Sequence, residues 1–259
     1  MAVIARPRVS ALFTCLMAAL LQGLSGPIHA EPASGMAAQT VGLRGDAGVK
    51  RIVLIGDSTV CEYPQARPER GWGQYVEERF KDGTVKVINL AVGGRSTKTF
   101  ITEGRWKKAL AEKPDYVLIQ FGHNDSHDSS KPEATDAATD YREYLRRYID
   151  ESRAIGATPV LVTPMVRRTF DSSGKLQDIL QRYAEAMKAV GAEKSAPVID
   201  LHASSKRLVE KFGPAAAGMA SKSGDVTHFN EKGARAMAGL VMDELPMAVP
   251  RLRDYLKAP

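Results

Sequence analysis

Five short runs of almost unbroken apolar residues punctuate the chain after residue 50, at 51–56 (RIVLIG), 85–90 (VKVINL), 116–121 (YVLIQF), 158–162 (TPVLV) and 196–201 (APVIDL). Each is too short for a helix and rich in β-branched residues, the pattern of strands buried on both faces. Between and after them the apolar positions recur at helical spacing, predicting helical segments at 75–80, 106–112, 139–155, 176–190, 205–211 and 231–245. Strands separated by helices form parallel sheets covered on both sides. The expected architecture is an α/β protein, a three-layer α/β/α sandwich on a five-stranded parallel sheet, filling one domain from 50 to 259.

The residues ahead of that domain follow a different pattern. Residues 1–30 hold Arg6 and Arg8, an apolar run at 11–24, Pro27 and Ala30, with no acid. That is the layout of a secretory signal peptide cleaved after Ala30. The run is shorter than the roughly 20 residues that cross a bilayer, so no stable membrane insertion is expected after cleavage. Residues 31–49, rich in Ala and Gly, read as a linker. The expectation is an exported protein, periplasmic or secreted.

Composition adds exclusions. With 44% hydrophobic and 25% charged residues in 259, the chain is neither disordered, collagen-like nor a coiled coil as a whole. Its 36 basic and 30 acidic residues give a formal charge of +6, which falls to +4 when Arg6 and Arg8 leave. Of two cysteines, Cys15 lies in the apolar run, so Cys61 alone remains and no internal disulfide is possible. Nucleic acid is not an expected partner, because the chain carries no recognition module and only 7% aromatic residues.

Open parallel sheets bind ligands beyond the carboxyl ends of their strands. Polar clusters follow the strands there: Gly56-Asp57-Ser58-Thr59, then Ala91-Val92-Gly93-Gly94-Arg95-Ser96, then Gly122-His123-Asn124-Asp125, and later Asp225-Val226-Thr227-His228. A serine hydroxyl is a poor nucleophile until a histidine takes its proton and a carboxylate fixes the imidazole tautomer. Asp225 and His228, three residues apart across a turn or helix start, can present both groups to Ser58. The backbone N–H groups of Ser58 and Gly94 and the side-chain amide of Asn124 could then receive an oxyanion. Glycine at 94 would let the backbone approach a substrate closely. One such donor is typically worth about 10² to 10³ in rate.

At these four clusters the sequence resembles the SGNH (GDSL) hydrolases, whose four blocks GDST at 56–59, AVGGRS at 91–96, GHND at 122–125 and DVTH at 225–228 match in order and spacing over most of 51–245. The GDST variant, Gly71-Trp72-Gly73, Gly94-Arg95-Ser96 and Glu103-Gly104-Arg105 are similar, more narrowly, to the rhamnogalacturonan acetylesterases. The resemblance implies a flavodoxin-like strand order and a serine esterase with Ser58, Asp225 and His228 as triad. It also implies an oxyanion hole of Ser58, Gly94 and Asn124, and neither metal nor organic cofactor. The implied substrate is an acetylated plant cell-wall polysaccharide, pectic rhamnogalacturonan first. A lipase or lysophospholipase, an acetylxylan esterase and a noncatalytic binder of anionic polysaccharide stay open as alternatives. The chain departs from its relatives at 163–175 and 213–224, two segments expected to shape a substrate groove.

Further residues have competing readings. Arg95, Arg105, Arg167 and Arg168 are candidates to pair with uronate carboxylates in the groove, since the guanidinium suits bidentate pairing; a solvated surface charge is the alternative for each, and for the last two it weighs equally. His202, two residues from Asp200, is a rival base, but it lacks the family spacing and a structural role is expected. His123, Asp125 and His127 alternate like metal ligands, yet alternate loop residues seldom complete a site, so a polar loop is expected. Ser172 to Lys175 fits S-x-x-K without its companion motifs and reads as a solvated turn. Gly71-Trp72-Gly73 lacks the context of a dinucleotide site, which leaves packing of Trp72 beside the nucleophile loop.

Overall fold

A computed structural model describes residues 48–258. The predicted signal peptide and all but the last two residues of the predicted linker lie outside the described residues.

Strands β1 (Lys50–Gly56), β2 (Val85–Asn89), β3 (Tyr116–Gln120), β4 (Thr158–Val162) and β5 (Val198–Ile199) form one sheet in the order β2-β1-β3-β4-β5. Every pairing is parallel. This is the flavodoxin-like order, and it reverses direction at β1, between β2 on one side and β3 on the other. The strand sequences are continuously apolar because alternate residues feed two separate cores. Ile52, Leu54, Leu118, Val160 and Val162 pack with Leu201 and Val209 of α5 (Leu201–Phe212) and Met237 and Val241 of α6 (Glu231–Ala248). Val53, Ile55, Val117, Ile119 and Leu161 face the other layer. There they meet Phe100 of α1 (Thr97–Thr102), Trp106 of α2 (Arg105–Ala111), Tyr148 of α3 (Asp140–Ala154) and Met187 of α4 (Gln181–Glu193).

Several predicted boundaries move, each for a local reason. The segment predicted helical at 75–80 is two 3₁₀ turns, Trp72–Tyr75 and Glu77–Arg79, ended by Phe80, whose extended backbone pairs with Leu256. Helix α4 begins at Gln181 rather than 176, because Leu176 bridges to Phe170 across a tight turn. Strand β5 keeps two residues of its predicted run: Pro197 has no N–H to donate, and the Asp200 carboxylate accepts from Ala203 N–H and starts α5 at Leu201, four residues earlier than expected. Helix α1 was not predicted; its Thr-rich sequence TKTFIT has weak helix propensity, and a reciprocal capping box between Ser96 and Thr99 initiates it.

Candidate active site

Ser58 sits on the turn that leaves β1, at the point where the sheet order reverses. The turn is tied from every side. The Asp57 carbonyl accepts from Val60 and Cys61 N–H, and Asp57 Oδ1 accepts from Thr59 N–H (2.9 Å) and Oγ1–H (2.7 Å). Gln120, the last residue of β3, donates to Thr59 Oγ1 at 2.7 Å and accepts from the Trp72 indole N–H at 2.6 Å. A Cβ on Gly71 would fall 2.1 Å from the Cys61 carbonyl oxygen, and one on Gly73 2.5 Å from that of Val60. The two glycines therefore let Trp72 pack directly against the nucleophile turn, which is the use expected of that motif.

The Asp225–His228 segment folds as a tight turn just ahead of α6. Asp225 Oδ1 accepts from the backbone N–H of Thr227 and of His228, each at 2.8 Å. Its Oδ2 faces His228 Nδ1 at 2.9 Å and accepts from Ser221 Oγ at 2.9 Å. Burial alone would raise this carboxyl; the four hydrogen bonds outweigh it and hold Asp225 well below the ordinary carboxylate range. With Nδ1–H directed at an ionised carboxylate, Nε2 is left to accept, and Ser58 Oγ lies 3.0 Å from it. The structure thus brings the predicted serine, histidine and aspartate into one hydrogen-bonded line.

The predicted oxyanion donors lie on the loops that follow β1, β2 and β3, and their N–H groups are largely free. Gly94 holds a left-handed backbone, φ +79°, and a Cβ there would meet no protein atom. Conformation therefore requires this glycine. Among the described residues the N–H groups of Ser58 and Gly94 make no hydrogen bond to protein. Asn124 Nδ2 donates once, to the Arg95 carbonyl at 2.9 Å, which draws the second and third blocks together and leaves its other N–H uncommitted. A polarised serine with such donors free nearby is the equipment for adding to an ester carbonyl and stabilising the resulting charge.

A family model described as the GDSL-like Lipase/Acylhydrolase family matches residues 54–236. The chain belongs to this family. As a GDSL-like hydrolase it is a carboxylic-ester hydrolase. It is 40% identical over 223 residues to the rhamnogalacturonan acetylesterase RhgT of Bacillus subtilis, covering 80% of this chain and 94% of that one. Among solved structures, the YxiM protein of Bacillus subtilis is similar at TM-score 0.68 and 31% identity, over 77% of this chain and 56% of that one. The acetylxylan esterase Axe2 of Geobacillus stearothermophilus shares the fold at TM-score 0.61 and 20% identity, over 77% of this chain and 96% of that one.

The four candidate substrate arginines of this GDSL-like hydrolase occupy different surroundings. Arg168 is 5% exposed, lies over the Phe229 ring at 4.4 Å, and donates through Nη2 to the carbonyls of Asp225 (2.9 Å) and His228 (2.7 Å). Burial lowers its pKa to about 10. It is a strut beneath the Asp225–His228 turn and is not available to a substrate, which corrects the expectation for this residue. Arg167 is half-buried, with Nη1 on Thr227 Oγ1 (2.7 Å) and Nη2 on the His123 carbonyl (3.1 Å). Arg95 and Arg105 share Glu103, at 3.0 and 2.6 Å, and Arg95 Nη1 also donates to the Gly93 carbonyl at 2.8 Å. These two lie at the surface beside the Gly94 loop.

The remaining candidates resolve as structural. His202 has Nδ1 2.9 Å from the Pro164 carbonyl and Nε2 3.1 Å from Asp178, so neither nitrogen is free to act as a base. His123, Asp125 and His127 point to different partners: His123 toward Asp57, Asp125 to Thr97 and Thr135, His127 to Glu133. The S-x-x-K segment is a turn in which Asp171 Oδ1 accepts from Ser173 and Lys175 N–H. Sequence reasoning missed the 62–70 wall of the site. Tyr63 donates to the Ser58 carbonyl at 2.9 Å, and the Arg70 to Phe229 bridge brings Glu69, its carboxyl held down to about 2 by Arg67 hydrogen bonds, within electrostatic reach of His228. The aromatic after the nucleophile and the alternating charges at 67–70 were the signal for it.

Proposed function

We propose that this GDSL-like hydrolase is an exported serine acetylesterase that removes O-acetyl groups from a plant cell-wall polysaccharide, pectic rhamnogalacturonan first. The observation that carries the reading is the line Asp225–His228–Ser58, with contacts of 2.9 and 3.0 Å, beside the uncommitted N–H groups of Ser58 and Gly94. Ser58 Oγ attacks the acetyl carbonyl as its proton passes to His228 Nε2, and Asp225 offsets the imidazolium charge. The oxyanion is received by the Ser58 and Gly94 amides and by Asn124. Collapse expels the sugar hydroxyl, which takes the proton back from His228 and leaves an acetyl-enzyme. Water, deprotonated by the same imidazole, then releases acetate. The pectic substrate is supported by the likeness to RhgT and to the rhamnogalacturonan acetylesterase of Emericella nidulans, 36% identical over 92 residues. Export is supported by the signal-peptide layout of residues 1–30.

The test is acetate release from acetylated pectin, acetylated xylan and aryl esters of increasing chain length. The expected result is fastest turnover on acetylated pectin, sharp loss of rate beyond short acyl chains, and no release by Ser58→Ala. Turnover by Ser58→Ala at the wild-type rate would remove the nucleophile assignment, and a preference for acyl chains of about eight carbons would remove the acetylesterase one.

A further inference from the structure

Three groups of the site, Ser58, Asn124 and His228, stand on loops that leave β1, leave β3 and precede α6, with no continuous backbone to fix their separation. The residues immediately before them are Asp57, His123 and Thr227. These three preceding residues are linked in one chain of contacts through Arg167, buried at Asp57 and His123 and partly buried at Arg167 and Thr227.

Asp57 is fully buried. Its Oδ1 is occupied by Thr59, while Oδ2 makes no hydrogen bond and faces His123 Nδ1 at 3.4 Å. His123 is 2% exposed, and neither ring nitrogen has a hydrogen-bond partner. Buried polar atoms rarely go unpaired, and here an unpaired carboxylate oxygen and an unpaired imidazole are set against each other just beyond hydrogen-bond length. The His123 carbonyl accepts from Arg167 Nη2 at 3.1 Å, and Arg167 Nη1 donates to Thr227 Oγ1 at 2.7 Å. Arg167 Nε is buried without a partner. Each Nη thus spends one N–H on a protein oxygen and Nε is out of reach of solvent, so the guanidinium is held in place between the His123 and Thr227 loops.

We propose that Arg167 and His123 form a brace, Asp57 to His123 to Arg167 to Thr227, that sets the spacing of nucleophile, oxyanion amide and imidazole. Arg167 is on this account a positioning residue and not a substrate-binding one. The inference rests on the catalytic roles given above to Ser58, Asn124 and His228. Displacing one reacting group by about 1 Å can cost on the order of 10²-fold in rate, so loosening the brace acts on turnover and leaves the walls that bind substrate in place.

The test compares Arg167→Met, Thr227→Val, Thr227→Ser and Ser58→Ala on 4-nitrophenyl acetate and on acetylated pectin, with the rate of Ser58 labelling by a fluorophosphonate. Arg167→Met and Thr227→Val are expected to lower kcat about tenfold on both substrates, with KM within about twofold, and to slow labelling in proportion. Thr227→Ser, which keeps the accepting hydroxyl, is expected to restore the wild-type rate. If Arg167→Met fails to fold, shown by circular dichroism, Thr227→Val decides, because it exchanges only a hydroxyl for a methyl. Wild-type kinetics of Thr227→Val, or an Arg167→Met enzyme with normal kcat on the aryl ester and raised KM on pectin, would overturn the brace while the triad stands. Activity retained by Ser58→Ala would instead overturn the catalytic assignment beneath it.

Discussion

Asp225 receives four hydrogen bonds, from two backbone amides, a hydroxyl and the imidazole, and together they favour its ionised form. Asp225→Asn keeps the volume but can turn its amide NH₂ toward Nδ1 and favour the wrong tautomer, so kcat is expected to drop on the order of 10⁴-fold with a nearly unchanged fold, measured by aryl acetate turnover beside circular dichroism. The sign of the pH effect follows from the direction of the shift. A carboxyl depressed below its ordinary 3.8 contributes stability that is present above that value and lost as pH falls through the lower folded value. Urea midpoints of the wild type should therefore decline below about pH 4, and those of Asp225→Asn should decline less. Ser58, Asp225 and His228 were legible because their chemistry is local: a short polar block after a strand and a three-residue spacing. Arg167 and Arg168 were not. A guanidinium reaches several ångströms, and whether it turns inward depends on what packs around it; the one hint was that the segment after β4, Thr163-Pro164-Met165-Val166, carries no charge and leads straight to the first arginine.

At the scale of elements, α6 couples the site to the sheet. Asn230 caps it by accepting from Gly233 N–H at 3.0 Å, two residues after His228, and donates to the Gly218 carbonyl. Gly233 lies in the first turn, and a Cβ there would fall 2.5 Å from both the Met219 carbonyl oxygen and Phe229 Cδ1. Replacing a helical glycine by alanine ordinarily favours the helix by roughly 0.8 to 1 kcal/mol. Here the close contacts reverse the sign: Gly233→Ala is expected to lower the melting temperature and kcat together, and a rise in either would contradict the packing. The strands were legible because residues buried on both faces leave an unambiguous apolar run. Helix starts were less so, since Asp200, Ser96 and the Phe170 to Leu176 turn set them by a few local hydrogen bonds that override the apolar period.

The molecule as a whole carries a formal charge of +6. Such a field raises the encounter rate with a polyanion and is screened by salt. The value of kcat/KM on an acidic acetylated polysaccharide should fall as ionic strength rises from about 0.01 to 1 M, where the screening length shrinks from roughly 30 to 3 Å, while that on neutral aryl acetate stays flat. Equal slopes would show that charge plays no part in encounter. The sheet order was legible only through the family resemblance, because apolar runs say that strands are parallel without saying which are neighbours.

The contact between His228 Nε2 and Ser58 Oγ joins residues 170 positions apart in the chain. Closing so long a loop is entropically costly and comes late in folding. Chemical reactivity of Ser58 is accordingly a readout of completed folding: a chain interrupted anywhere before His228 holds its serine without the imidazole, and cannot cleave an ester on the way to its final form.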